Sequence, residues 1–128
     1  MGLERTLSER IVTSLPGYRG MGPVRAGNQA YEHFQHDSYG NVVLGAAQAF
    51  LDRRLLSRPV AVDFALLERA GLQAVRLFDK PDAGMWELRF SAKIHTTSSL
   101  MCWAACDRLA RIAEQLGLRD RYEFWQTH

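Results

Sequence analysis

Apolar side chains recur at helical spacing in three long segments of this chain. In the first, Tyr31, Phe34, Leu44, Ala47 and Leu51 lie on or near one stripe, with Asn28, a good N-cap, ahead of them. That pattern predicts a helix from near Asn28 to about Arg54. A polar run, Gln35, His36, Asp37 and Ser38, interrupts the stripe, and Gly40 follows it. A glycine inside a helix costs about 1 kcal/mol relative to alanine, so a packing demand or the close approach of another group is expected there. The second segment begins after Pro59, a residue favoured in a first helical turn, and runs to about Asp79 before Pro81 stops it. Phe64, Leu67, Ala74, Val75 and Phe78 form its stripe, which reads as core with no chemistry on it.

The third helix is expected to take its cap from His95, Thr96, Thr97 and Ser98 and to end at Gly117. Leu100, Met101, Ala104, Ala105, Leu109, Ile112 and Leu116 make it broadly apolar, and Asp107, Arg108, Arg111 and Glu114 mark its wet side. Trp103 on this helix reads as a core filler. Residues 118–128, with Tyr122, Phe124 and Trp125, read as the start of a fourth helix. Gly17 to Gly27, carrying four glycines and bordered and interrupted by Pro16 and Pro23, is loop. No linker or low-complexity stretch divides the chain. The pattern therefore predicts an all-α protein of helical hairpins.

Between the second and third helices, Pro81, Asp82 and Gly84 have the composition of a tight turn, and a short segment of extended character is expected after it. Alternation there would point Glu87 one way and pack Trp86 and Leu88 on the other. A carboxyl group beside an indole loses solvation, which disfavours its charged form and suits a general acid. Glu87 is the candidate proton donor on this ground, although an isolated Trp-Glu pair is more often a surface glutamate facing a cation such as Arg89.

Charge and composition narrow the classes further. The 128 residues include 47% hydrophobic positions, enough for a core, and the net charge is +2 from fourteen arginines and two lysines against 14 acidic residues. The basic residues are spread out and do not interleave with aromatics, so no nucleic-acid partner is expected. No run of about 18 apolar residues is present to span a bilayer, and no apolar stretch of signal-peptide length opens the chain, so no membrane association is expected and the reading is a cytoplasmic protein. Cys102 and Cys106, four apart on one helix, point poorly for a disulfide and read as buried thiols. The spacing of His33, His36 and His95 recommends no metal site, and no cofactor is expected.

Three groups of residues give the chain a resemblance to glycoside hydrolase family 15, the family of glucoamylases, glucodextranases and some trehalases. They are Leu15-Pro16-Gly17-Tyr18-Arg19-Gly20 with Pro23-Val24-Arg25-Ala26-Gly27-Asn28; Gln35-His36-Asp37-Ser38-Tyr39-Gly40; and Gly84-Met85-Trp86-Glu87-Leu88-Arg89 leading to Met101-Cys102-Trp103-Ala104-Ala105-Cys106-Asp107-Arg108. The resemblance implies that the whole chain, residues 1–128, is part of an (α/α)6 toroid of six helical hairpins, a catalytic domain several times longer, and so an incomplete one. It implies inverting hydrolysis of an α-glucosidic bond, in which one carboxylic acid protonates the leaving oxygen. A second carboxylate, roughly 6.5–9.5 Å away, activates water on the opposite face. By motif match Glu87 is the acid and Trp86 part of the sugar pocket, with Gln35 and Asp37 near that pocket and Arg25 and Asn28 on a pocket-side loop able to hydrogen-bond sugar hydroxyls. The family's base lies beyond the stretch that His128 closes, so the isolated chain is expected to be inactive on an α-glucoside.

Two positions depart from that pattern. Leu88 stands where relatives of the fungal type carry a second acidic residue, which leaves substrate preference open, and Arg89 would favour the charged form of Glu87 if the two faced each other. An incomplete toroid exposes inner-helix surface, so association with itself or with the remainder of the catalytic domain is expected, with Tyr122, Phe124 and Trp125 among the residues covered. The rival readings are a non-catalytic helical interaction module, with Glu87 a surface charge, and a degenerate remnant of the enzyme.

Overall fold

A computed structural model of the chain describes residues 7–52, 54–55, 61–89 and 91–128. They fall into two compact units, one ending at His33 and one spanning Phe34–His128. In the first, strand β1 (Arg10–Ile11) pairs antiparallel with β2 (Arg25–Ala26), Arg10 opposite Ala26 and Ile11 opposite Arg25. Two short 3-10 turns, Tyr18–Gly20 and Gln29–Glu32, complete it. Asn28 is an N-cap as expected, but of the second 3-10 turn, where its side chain accepts from the Ala30 N–H at 2.9 Å.

The second unit is all-α. Among the described residues it holds α1 (Asp37–Leu51), α2 (Ala61–Leu77), α3 (Thr96–Gln115) and α4 (Arg119–Gln126). α3 is the central element and packs against each of the other three, and α1 and α2 also pack together. The helix expected from Asn28 to Arg54 is thus shorter at its start. His33 is already extended, and α1 begins only at Asp37, because the His36 N–H is drawn to the carboxylate of Asp82 at 2.8 Å. The expected stripe shifts with it: Phe34 is 80% exposed and Tyr31 and Leu51 are also exposed, while Gly40, Val43, Ala47 and Phe50 are buried at i, i+3, i+4 spacing. Pro59 lies outside the described residues.

α2 repeats the same spacing with Phe64, Leu67, Gly71 and Ala74. Phe78, expected on that stripe, falls just past the helix end and is exposed. On α3 the residues Cys102, Ala105, Cys106, Leu109, Ala110, Ile112 and Ala113 are all buried, which places three packing faces on one helix. Trp103 is not a core filler: it is 59% exposed, because at i, i+4 spacing it shares the side of the helix that carries Asp107. α3 ends as expected at Gly117, where the N–H groups of Gly117 and Leu118 return to the carbonyls of Glu114 and Ala113 in a Schellman closure. That reversal lays α4 back on the core. Trp125 is 1% exposed and its indole N–H donates to Glu68 at 2.6 Å, so it is covered within the chain and is not available to a partner. None of the helices in the described residues is long and apolar enough to cross a membrane.

Gly40 shows why α1 and α3 approach so closely. A Cβ built there would overlap the backbone carbonyl of Met101, so the helix tolerates glycine's entropic cost in return for the contact. Gly40→Ala is therefore expected to destabilise the chain by about 1–3 kcal/mol through overpacking. In an uncrowded helix the same change would add about 1 kcal/mol. Urea unfolding at constant m-value measures the difference, and a stabilised variant would contradict the close approach.

Candidate active site

The loop between α2 and α3 carries Trp86 and Glu87, and its neck is tied at both feet. Asp82 and Lys93 form an isolated antiparallel bridge, with N–H to carbonyl distances of 2.9 and 3.1 Å. Just inside the neck, the Ala83 N–H donates to the Phe34 carbonyl at 2.9 Å. The expected extended segment is instead a turn: the Glu87 N–H returns to the Gly84 carbonyl at 3.2 Å, which also accepts from Gln35 Nε2 at 3.0 Å. Alternation therefore does not govern these side chains. Met85, Trp86, Glu87 and Leu88 are all exposed, Trp86 by 80%, so among the described residues nothing covers Trp86 and it does not shield Glu87 from water. Glu87 itself has φ 48°, a left-handed conformation uncommon for a residue with a side chain. Such a backbone costs of order 1–3 kcal/mol and persists only where the surroundings impose it.

The residue that imposes most here is one the sequence presented only as turn composition. Asp82 is 2% exposed. Its Oδ2 accepts from the His36 N–H and the Ser98 hydroxyl, both at 2.8 Å, and its Oδ1 accepts from the Gly84 N–H at 3.1 Å. Burial pushes this carboxyl up, but the His36 N–H, the Ser98 hydroxyl and the Gly84 N–H together hold it below the usual carboxylate value. Ser98 was expected to contribute to the α3 cap; its hydroxyl serves Asp82 instead, and His95 caps α3 without a side-chain bond. Gly84 has φ 62° and lies against the His95 ring, which a Cβ would strike at 2.7–2.8 Å. An aspartate two residues before a glycine is a turn signal that sequence can supply; its partners 46 and 16 residues away are not.

The other sequence candidates divide between the two units. Gln35 is brought to the Glu87 turn through Gly84. Asp37 stands in the first turn of α1, half-buried, with a long contact of 3.4 Å from Asn41. In the first unit, Arg25 donates to Glu9 at 2.9 Å and Asn28 caps its 3-10 turn. Cys102 and Cys106 are buried free thiols, as expected. Burial first, then Cys106, Asp82 and Asp37, push the Cys102 thiol up to about 11. Among the described residues no three His, Cys, Asp or Glu side chains are grouped to hold a metal ion.

The sequence profile of glycosyl hydrolases family 15 matches residues 4–128. The chain is 33% identical over 127 residues to the trehalase of Mycobacterium tuberculosis, covering 99% of this chain and 18% of that one. It is 32% identical over 127 residues to the trehalase of Mycolicibacterium smegmatis, covering 99% and 19%. To the trehalase of Thermoplasma volcanium it is 34% identical over 121 residues, covering 94% and 19%. The chain thus spans about a fifth of the length of the curated relatives it matches. No solved structure matches it. With its helical hairpins and a match over nearly its whole length, the chain belongs to glycosyl hydrolases family 15.

Proposed function

We propose that this segment supplies the general acid, Glu87, to an inverting hydrolase of the α-glucosidic bond, with trehalose as substrate. The observation that carries the reading is the exposed pair Trp86 and Glu87 on a turn whose backbone is fixed from several sides while its side chains face solvent. An exposed indole offers a flat apolar face to a pyranose ring, and the adjoining carboxyl group then lies beside the sugar's bridging oxygen. A ring seated on Trp86 also removes water from Glu87, the shielding that the chain itself does not provide. The names of the relatives support trehalose as the substrate.

In this reading Gln35 and Asp37 of the second unit hydrogen-bond sugar hydroxyls, the carboxylate and amide oxygens accepting; for Arg25 and Asn28 of the first unit the same role rests on the family resemblance alone. The base that activates water comes from the part of the family domain these residues do not cover. Released sugar tests the reaction class in a complete domain containing this segment. Trehalose joins two α-configured anomeric carbons, so water attacking one of them with inversion yields α- and β-glucose in equal amounts at early time. Proton NMR before mutarotation reads the ratio, and release of α-glucose alone would replace inversion with a retaining mechanism.

A further inference from the structure

We infer that Asp82 is the positioning residue of the acid turn: it fixes Gly84, and through Gly84 the left-handed backbone of Glu87, against the start of α1 and the first turn of α3. The inference rests on the assignment of Glu87 as proton donor. Three separate pieces of chain meet on this one buried carboxylate. The His36 N–H belongs to the residue before α1, the Ser98 hydroxyl to α3, and the Gly84 N–H to the turn itself. All three partners donate, so the group that satisfies them is an ionised carboxylate, an acceptor on both oxygens. A residue held in this way neither gives nor takes a proton in a reaction; it sets where its neighbours stand.

The route from Asp82 to Glu87 is short and takes one hydrogen bond at each step. Asp82 Oδ1 holds the nitrogen of Gly84, and the carbonyl of Gly84 holds the nitrogen of Glu87 while Gln35 holds that same carbonyl from the other side. Both peptide groups of Gly84 are thereby restrained, and His95 closes off the space beneath it. The main chain of Asp82 is meanwhile bridged to Lys93 in both directions, so the carboxylate has a fixed base from which to act. An exposed glutamate five residues from a buried anchor inherits its orientation from that anchor.

Asp82→Asn is the discriminating change because it keeps size and shape and removes one acceptor. Its single oxygen satisfies the two donors on the His36 and Ser98 side, which turns an NH2 group towards the Gly84 N–H and cuts the link to the turn alone. The experiment is amide hydrogen exchange and, for Glu87, the three-bond coupling from the Trp86 carbonyl carbon to the Glu87 Hα, which is large only at positive φ, measured by NMR on the full chain. In the wild type, the His36 and Gly84 amides are expected to be protected and the Glu87 coupling to report one left-handed conformer. In Asp82→Asn, exchange at Gly84 and Glu87 is expected to rise at least about tenfold relative to α2 and α4, with the Glu87 coupling moving towards a conformational average. Ser98→Ala, which leaves both backbone donors in place, is expected to keep the Glu87 coupling at its wild-type value.

A uniform rise in exchange over all helices would make Asp82 a general stabiliser and overturn the inference, as would an unchanged coupling in Asp82→Asn. Unprotected His36 and Gly84 amides in the wild type would overturn it even if the variant did not fold. None of these readouts involves hydrolysis, so failure here is distinct from failure of Glu87 as the acid.

Discussion

Replacing Glu87 by glutamine is expected to lower kcat for trehalose by about 10²–10⁴-fold in a complete domain carrying this segment, the range associated with losing one general acid. The bond broken in trehalose leaves a sugar alkoxide unless a proton arrives during cleavage, so the loss falls on the transition state and kcat and kcat/KM drop together. α-Glucosyl fluoride provides the contrast. Its leaving group departs as fluoride without protonation, and its turnover is expected to survive the substitution. The fold is also expected to survive, because Glu87 is exposed and glutamine retains the length and main-chain preferences of the side chain. Comparable losses on both substrates would assign Glu87 to binding, and full activity on trehalose would remove it from the mechanism.

The second large effect concerns stability. Trp125→Ala is expected to cost about 3–5 kcal/mol, the range for deleting a buried aromatic side chain. With total stabilities of about 5–15 kcal/mol for a domain, that is a third or more of the whole in most cases. Two losses combine. The indole is 1% exposed and meets Phe124 edge to face with centroids 4.9 Å apart, so its removal leaves a cavity where α4 returns to the bundle. Its N–H also donates to Glu68, whose same oxygen accepts from Arg121 at 2.7 Å. Trp125→Phe separates the terms, since it keeps most of the volume and loses only the donor, worth about 1–2 kcal/mol. Denaturant midpoints of the two variants measure both, and a cost below about 1 kcal/mol for alanine would place α4 outside the cooperative core.

Much of this architecture was legible in the residue pattern, and the part that was not has a common cause. The apolar face of α2 and the extent of α3 followed from 3.6-residue spacing and from Gly117, signals that act within a few residues. The beginning of α1 did not, because what breaks the chain before Asp37 is a carboxylate 46 residues away. Trp103 and Trp125 exchanged their expected places for a related reason. Both are tryptophans in helical segments, but Trp103 shares the side of Asp107 while the turn at Gly117 folds Trp125 inward. The segment carrying Trp86 and Glu87 stood out in the sequence, yet the turn that displays them was read as extended, since its geometry is imposed by Asp82, Gln35 and His95 rather than by local preference.

The two cysteines of α3 give this bundle a built-in chemical gauge. Cys102 is 1% exposed with its thiol pushed up to about 11, and its S–H lies 3.6 Å from the His36 carbonyl beside the start of α1. Only thiolate reacts with alkylating reagents, so the closed state is nearly inert at neutral pH. Modification then proceeds through molecules in which α3 has parted from its neighbours. Where reclosing outpaces the reagent, the labelling rate divided by that of an exposed thiol is the equilibrium constant for that opening. Mass spectrometry of slowly alkylated chain would thus read, without any mutation, the free energy that keeps α3 seated in the bundle.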